Sequence, residues 1–336
     1  MSTAPSGAPL LLGAAAATHD LRHEGRAHLL ARHFDLVVPE YEMKWDQVAP
    51  RPAARDAVAA DALVTFAGAH GLACRGHALW WHGAVPAWLA GAGRAAVRAE
   101  ALAHLAWIAE RYAGRLHSWD VVNEPLDLAN GRSDGLRASP FLDAFGPGYL
   151  ALAFREAART DPGALLVLNE MGLEYDSPDA AAKRRAMLRL LERHLAAGVP
   201  IQGLGLQSHL DAADRPRAHP ALQAFAREVE ALGLRLLVTE LDVSDARCPR
   251  DRAARDRMVA QAYWAYLSGL LEACRPAAVV VWGVSDARTW LATSHPRPDG
   301  APVRPLPFDR AGRRKAAFAA LAAALGRGEG ARAGHT

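Results

Sequence analysis

Seven short stretches of this chain join residues able to do acid–base work or to grip a polar ligand. "WDVVNEPL" carries Asn123 and Glu124 to the end of an apolar run, and "LLVTELDV" does the same for Glu240 and Asp242. "PEYEMKWD" holds Glu40, Tyr41 and Lys44, "RGHALWWHG" His77, Trp81 and His82, "GLGLQSHL" Gln207 and His209, "VLNEMG" Asn169, Glu170 and Met171, and "WGVSDARTW" Trp282 and Trp290. One glutamate after an apolar run is more often a cap or an ion-pair partner than a catalyst. Two on one cleft are a different matter. Cleavage of a glycosidic bond needs one carboxyl that gives a proton to the leaving oxygen and a second that attacks the anomeric carbon or activates water. Trp81, Trp282 and Trp290 offer flat apolar faces to the C–H side of a sugar, although core packing accounts for most of the nine tryptophans. Asn123, Lys44, His77 and Gln207 supply the few polar contacts that fix hydroxyls.

The elements that must position these residues alternate along the chain. Short, near-continuous apolar runs predict strands at Leu10–Ala15, Leu36–Val38, Ala73–Leu79, Leu116–Val122, Leu165–Leu168, Gly203–Leu206, Leu234–Thr239 and Val279–Trp282. Helical stretches are predicted at Ala95–Tyr112, Gly148–Ala158, Ala180–Ala197, Ala221–Leu232 and Asp251–Ala273. Alternating units of this kind imply a parallel sheet covered by helices, and eight of them imply a single (β/α)₈ TIM barrel, an α/β fold whose site lies where the strands finish. No Pro/Gly/Ser linker or fixed repeat divides the chain, so one catalytic domain is expected over residues 1–325, with 326–336 as a frayed tail.

Composition narrows the function classes. With 336 residues, 51% hydrophobic and 22% charged, the chain reads as soluble and globular, and its net charge of +3 is spread without a basic block that would engage nucleic acid. No apolar run approaches the roughly 20 residues of a membrane span, and no positive segment precedes "APLLLGAAAATHD", which reads as a first buried strand; a cytoplasmic monomer is expected. Cys74, Cys248 and Cys274 match no disulfide framework or metal motif and read as buried thiols. His19, His23, His28 and His33 do not keep one helical face, so they read as a solvated helix rather than a metal site. "GLGLQ" lacks phosphate-loop spacing. Neither a cofactor nor a metal is called for. Among 39 basic residues only Lys44, Lys183 and Lys315 are lysine, and asparagine occurs only at 123, 130 and 169. Lys183 and Lys315 fall in arginine-rich helical runs and are expected to be solvated, whereas Lys44 has no such setting and marks a tight pocket.

Six of these stretches, "PEYEMKWD", "RGHALWWH", "WDVVNEP", "GLQSHL", "VTELDV" and "WGVSDARTW", resemble in the same order the motifs of glycoside hydrolase family 10, the endo-β-1,4-xylanase family. The resemblance implies a xylan or xylo-oligosaccharide substrate and a retaining double displacement, with Glu124 as general acid/base and Glu240 as nucleophile. It further implies that Asn123 binds the 2-hydroxyl of the reacting sugar, and that His209, oriented by Asp242, supports Glu240. Lys44, His77 and Gln207 would line the reacting-sugar subsite, with Trp282 and Trp290 as its roof and wall, and Glu40, Trp81 and His82 nearby.

Three departures alter the sugar-gripping positions. Tyr41 follows Glu40 where the family has asparagine, Gly83-Ala84 follow His82 where it has Ser-Gln, and Met171 stands where the leaving-group side has an aromatic platform. Each lost hydrogen bond to a sugar hydroxyl costs about 0.5–1.5 kcal/mol. A shift towards short, decorated or atypical oligosaccharides is therefore expected. The rivals are a related retaining barrel β-glycosidase acting on another sugar, and a carbohydrate-binding barrel without turnover. Retention of both acids, of the His209–Asp242 pair and of Lys44 opposes the second.

Overall fold

In the computed structural model, which describes residues 9–328, the apolar runs form strands and the intervening segments helices. The strands are β1 (Leu11–Ala16), β2 (Leu36–Pro39), β3 (Ala73–Gly76), β4 (Trp80–Trp81), β5 (Ser118–Asn123), β6 (Leu165–Glu170), β7 (Gly203–Leu206), β8 (His209–Asp211), β9 (Arg235–Ser244) and β10 (Ala278–Val281). Eight of them form a parallel barrel in the order β1-β2-β3-β5-β6-β7-β9-β10, closed because β10 pairs with both β9 and β1. β4 and β8 are short additions at the upper rim, hydrogen-bonded to the ends of β5 and β9. β8 explains why β9 runs five residues past the predicted end at Thr239: His209 pairs with Asp242 and Asp211 with Ser244.

Side-chain alternation splits the barrel residues between two cores. Leu36, Val38 and Val280 join a small cluster with Ala15, Val167, Leu237 and Trp282, whereas Val37, Val279 and Val281 join the large cluster that includes the helices. Strands buried on both faces must be apolar at every position, which is why they read as continuous runs in the sequence. The predicted helices are found at Arg94–Tyr112, Tyr149–Thr160, Pro178–Ala196, Pro220–Ala231 and Arg252–Leu271. Three start where a side chain takes an orphan amide: Ser177 Oγ accepts from Ala180 N at 3.2 Å with Pro178 opening the helix, His219 Nδ1 accepts from Leu222 N at 3.3 Å ahead of the helix that Pro220 opens, and Asp251 accepts from Ala254 N at 2.7 Å. None of the helices among the described residues is long and apolar enough to cross a membrane. The three cysteines are free and buried.

Several sequence expectations are corrected. Lys183 and Lys315 are partnered rather than solvated: Lys183 Nζ lies 2.9 Å from the buried Glu170 carboxylate, and Lys315, 8% exposed, donates to the Arg304 and Leu306 carbonyls and pairs with Asp286 at 2.9 Å. An arginine-rich neighbourhood does not imply a solvated one: Arg184, beside Lys183, is itself buried and donates to the Leu173 and Tyr175 carbonyls. His33 packs against the Phe308 and Phe318 rings, with centroids 5.4 and 5.3 Å away, and His19 pairs with Asp20, so this histidine group is not a uniformly solvated face. Arg327 bonds to Asp35 and to the Leu10 carbonyl, tying residue 327 to the bottom of β1, beyond the boundary expected at 325; from 329 onward the expected tail lies outside the described residues.

Removing one partner of a buried ion pair leaves the other uncompensated, at a cost of roughly 3–5 kcal/mol. Lys315→Ala is therefore expected to lower the unfolding free energy in urea by about 3 kcal/mol, and joint replacement of Lys315 and Asp286 by methionine and leucine to recover most of it. A loss below about 1 kcal/mol in the single variant would show that Asp286 is not held by this lysine.

Candidate active site

The chemistry-bearing stretches deliver their residues at the upper ends of the barrel strands, Asn169 and Glu170 closing β6 and Glu240 and Asp242 lying where β9 continues past the barrel, and the register of the barrel brings those ends level. Asn123 at the end of β5 pairs with Asn169 of β6, and Glu170 with Leu206 of β7. Glu124 is the first residue past β5. Its amide donates to the Asn169 carbonyl at 2.8 Å, its φ is +55°, and Arg137 Nε donates to its carbonyl at 2.9 Å. A non-glycine residue in this left-handed region stores on the order of 1–3 kcal/mol of strain and persists only when its surroundings enforce it. Here it turns the Glu124 side chain out of the strand and into the cleft, and Pro125 ends the strand.

The cleft, about 300 Å³, is lined by Tyr41, Lys44, His77, Trp81, Asn123, Glu124, Met171, Gln207, His209, Glu240, Trp282 and Trp290. Of the predicted site residues, Glu40, His82, Ala84 and Asp242 stand behind this lining. Ala84 is buried in the turn after Trp81, and His82 Nε2 lies 3.9 Å from Glu124 Oε2. Glu40 is buried next to Lys44, and burial pushes its carboxyl up to about 7 against the pull of Tyr41 and Lys44.

Glu124 and Glu240 share this cleft and are linked through amides. Gln207 Nε2 donates to Glu124 Oε1 at 3.1 Å and to Asn123 Oδ1 at 3.3 Å, while Asn169 Nδ2 donates to Asn123 Oδ1 at 2.8 Å and to Glu240 Oε1 at 2.7 Å. The other oxygen of Glu240 faces His209 Nε2 at 3.3 Å. His209 Nδ1 meets Asp242 Oδ1 at 2.9 Å, and the Trp290 indole donates to Asp242 Oδ2 at 2.6 Å. Burial opposes a charge on His209, but the Asp242 and Glu240 carboxylates outweigh it and hold the imidazole well above its usual value, so both ring nitrogens donate. Burial likewise drives Glu240 towards protonation. The hydrogen bond from His209, together with the charges of His77, His209 and Lys44, reverses this and holds its carboxyl at about 2. Glu124 touches none of these cations; His82, whose imidazole burial holds below its usual value, lies 3.9 Å away, and the Glu124 side chain is 13% exposed. Two carboxyls in unlike settings on one cleft can divide the work of acid and nucleophile.

Sequence reasoning placed Asn169 at a strand end but gave it no role, although it bridges Asn123 and Glu240 and is wholly buried. The rarity of asparagine was the available signal. Thr239 orients it by donating to Asn169 Oδ1 at 2.7 Å. Gly205 makes room for it: a Cβ there would stand 2.1 Å from Asn169 Oδ1 and 2.8 Å from Thr239 Cγ2, which accounts for the second glycine of "GLGLQ". Asp120, also missed, receives Arg75 on one oxygen and His77 Nδ1 at 2.9 Å on the other, fixing the His77 ring. Glu170 does not enter the cleft; it accepts from the Leu126 and Met171 amides at 2.9 and 3.0 Å and anchors the loops after β5 and β6.

Gly205→Ala is expected to displace the Asn169 amide and lower kcat on an aryl β-glycoside by about 10²-fold, the scale of losing one preorganised donor. The far-ultraviolet spectrum should be unchanged. Wild-type kcat in a folded Gly205→Ala variant would remove Asn169 from the account.

Comparison with known proteins gives a consistent result. The model of glycosyl hydrolase family 10 matches residues 2–324. A beta-1,4-xylanase of Dictyoglomus thermophilum is 32% identical over 321 residues, covering 91% of this chain and 86% of that one. Endo-1,4-beta-xylanase C of Paenibacillus barcinonensis is 32% identical over 329 residues, 88% of this chain, which spans only 29% of that longer protein. The structure of a family 10 protein from Paenibacillus barcinonensis superimposes with a TM-score of 0.80 at 30% identity, over 94% of each chain. A closed parallel barrel with paired glutamates at its rim, and this agreement along nearly the whole chain, place the protein in glycosyl hydrolase family 10.

Proposed function

We propose that this chain hydrolyses β-1,4-xylosidic bonds in xylo-oligosaccharides with retention of configuration, Glu240 being the nucleophile and Glu124 the general acid/base. The observation that carries this reading is the unlike treatment of two acids on one cleft. Glu240 is kept ionised at about 2 by His209, His77 and Lys44, while Glu124 is held by a neutral amide. In the first displacement a Glu240 oxygen attacks the anomeric carbon and the Glu124 proton passes to the leaving oxygen. In the second, Glu124 takes a proton from water, whose oxygen displaces Glu240 and restores both groups. The Gln207 amide stabilises the Glu124 carboxylate between these steps. Asn123, 3% exposed and braced by Asn169 and Gln207, is placed to hold the 2-hydroxyl, and Lys44 and His77 the remaining hydroxyls. Xylan cleavage by the relatives named above supports xylose as the sugar.

Glu240→Ala is expected to abolish turnover, and Glu240→Gly with azide to recover part of it as the α-glycosyl azide, detected by proton NMR; hydrolysis by Glu240→Ala at the wild-type rate would refute the assignment. A second expectation concerns pH. His209→Asn removes a hydrogen bond and a positive charge from Glu240, so its carboxyl moves upward and the ionised form is lost earlier on acidification. The acid limb of kcat/KM should then rise by roughly one to two pH units, the equivalent of a charged hydrogen bond. An unmoved limb would show that His209 does not set the charge of Glu240.

A further inference from the structure

The line joining Glu124 on β5 to Glu240 on β9 divides the top of the barrel unequally. On one side lie β6 and β7; on the other lie β10, β1, β2 and β3. The aromatic lining is concentrated on the second side, which carries Tyr41, Lys44, His77, Trp81, Trp282 and Trp290, whereas the β6–β7 side adds Met171, Gln207 and His209 and no aromatic platform. The sugar held during attack therefore sits on the β2–β3 side, and the leaving group departs over Met171.

Two aromatic rings flank Lys44 on this side. The Lys44 ammonium lies 4.8 Å from the Tyr41 ring centroid and 4.7 Å from that of Trp81, so one buried cation is gripped between two aromatic faces. Cation–π contacts strengthen when the cation is desolvated, so the buried Lys44 holds both rings in place. Gly83 completes the wall: a Cβ at this position would come within 2.7 Å of the Trp81 ring, so the ring rests directly on the backbone, and Ala84 behind it is buried and offers no side-chain donor. Glu40, behind Tyr41, is buried and holds its proton up to about 7. The volume of about 300 Å³ is at the lower end of the roughly 300–1,000 Å³ of small-molecule sites.

We infer that Tyr41 and Trp81, locked by Lys44, end the cleft one sugar beyond the scissile bond, so that the enzyme acts from the non-reducing end and frees a single terminal sugar per water consumed. This inference rests on the proposed retaining hydrolysis but not on the identity of the sugar. The test compares aryl β-xyloside with aryl β-xylobioside, and aryl β-glucoside with aryl β-cellobioside, and follows xylotetraose tagged at its reducing end. The monosaccharide glycoside should give the higher kcat/KM of its pair, and the tagged product should shorten by one unit at a time. Tyr41→Asn should shift the monosaccharide-to-disaccharide ratio by about tenfold towards the disaccharide, roughly one recovered sugar hydrogen bond, chiefly through KM. A wild-type preference for the disaccharide glycoside, or early release of the disaccharide from tagged xylotetraose, would overturn the inference whether or not the variant folds. Absence of hydrolysis on every glycoside would instead overturn the underlying enzymatic reading, and activity on glucosides alone would overturn xylose as the sugar while the ratio still decides where the cleft ends.

Discussion

Glu240 must carry a negative charge in a barrel built from Val, Leu and Ala, where burial by itself would protonate it. The groups that keep it ionised come from separate elements: His209 from β8, oriented by Asp242 further along β9, His77 from the end of β3 and Lys44 from the loop after β2, while Asn169 of β6 donates to its other oxygen. No two consecutive elements can supply this set, so the site exists only when the barrel is closed. The strained backbone of Glu124 is tolerated for the same reason: its amide and carbonyl are both held by neighbours on other segments.

A division of labour follows from where these residues sit. Those that handle charge lie on strands or at their ends and are held by two or more hydrogen bonds. Of those that bound the substrate, Tyr41 and Met171 lie on loops and Trp81 on the short rim strand β4, where its indole nitrogen has no hydrogen-bond partner among the described residues. Met171 is 41% exposed and offers an open apolar surface at the cleft. Substrate range can therefore change by replacement at the rim while the paired glutamates stay as they are, which fits a chain that resembles its family at Glu124 and Glu240 and departs from the family pattern at 41, 83, 84 and 171.

The eight strands, the closed barrel and the paired glutamates were legible in the sequence because strands buried on both faces leave continuous apolar runs and because acids at their ends break those runs abruptly. Tertiary placement was not legible where local composition misleads. Lys183 and Lys315 sit among arginines yet turn inward to buried carboxylates, so all three lysines of the chain are partnered, and the argument applied to Lys44 held for the other two. Asn169 and Gly205 escaped because each makes sense only beside the other: the glycine gives no sign of the amide it accommodates until β6 and β7 are in register. Glu170 shows the converse, an acid at a strand end that faces away and fastens loops.

The most direct test of an ionised, nucleophilic Glu240 is capture of the intermediate. Incubation with a 2-deoxy-2-fluoro-β-xyloside bearing a dinitrophenolate leaving group should inactivate the enzyme with release of one phenolate per chain, and mass spectrometry of the digest should find the fluorosugar as an ester on the peptide containing Glu240. A label on any other residue, or steady turnover without a covalent adduct to a product of inverted configuration, would contradict the account.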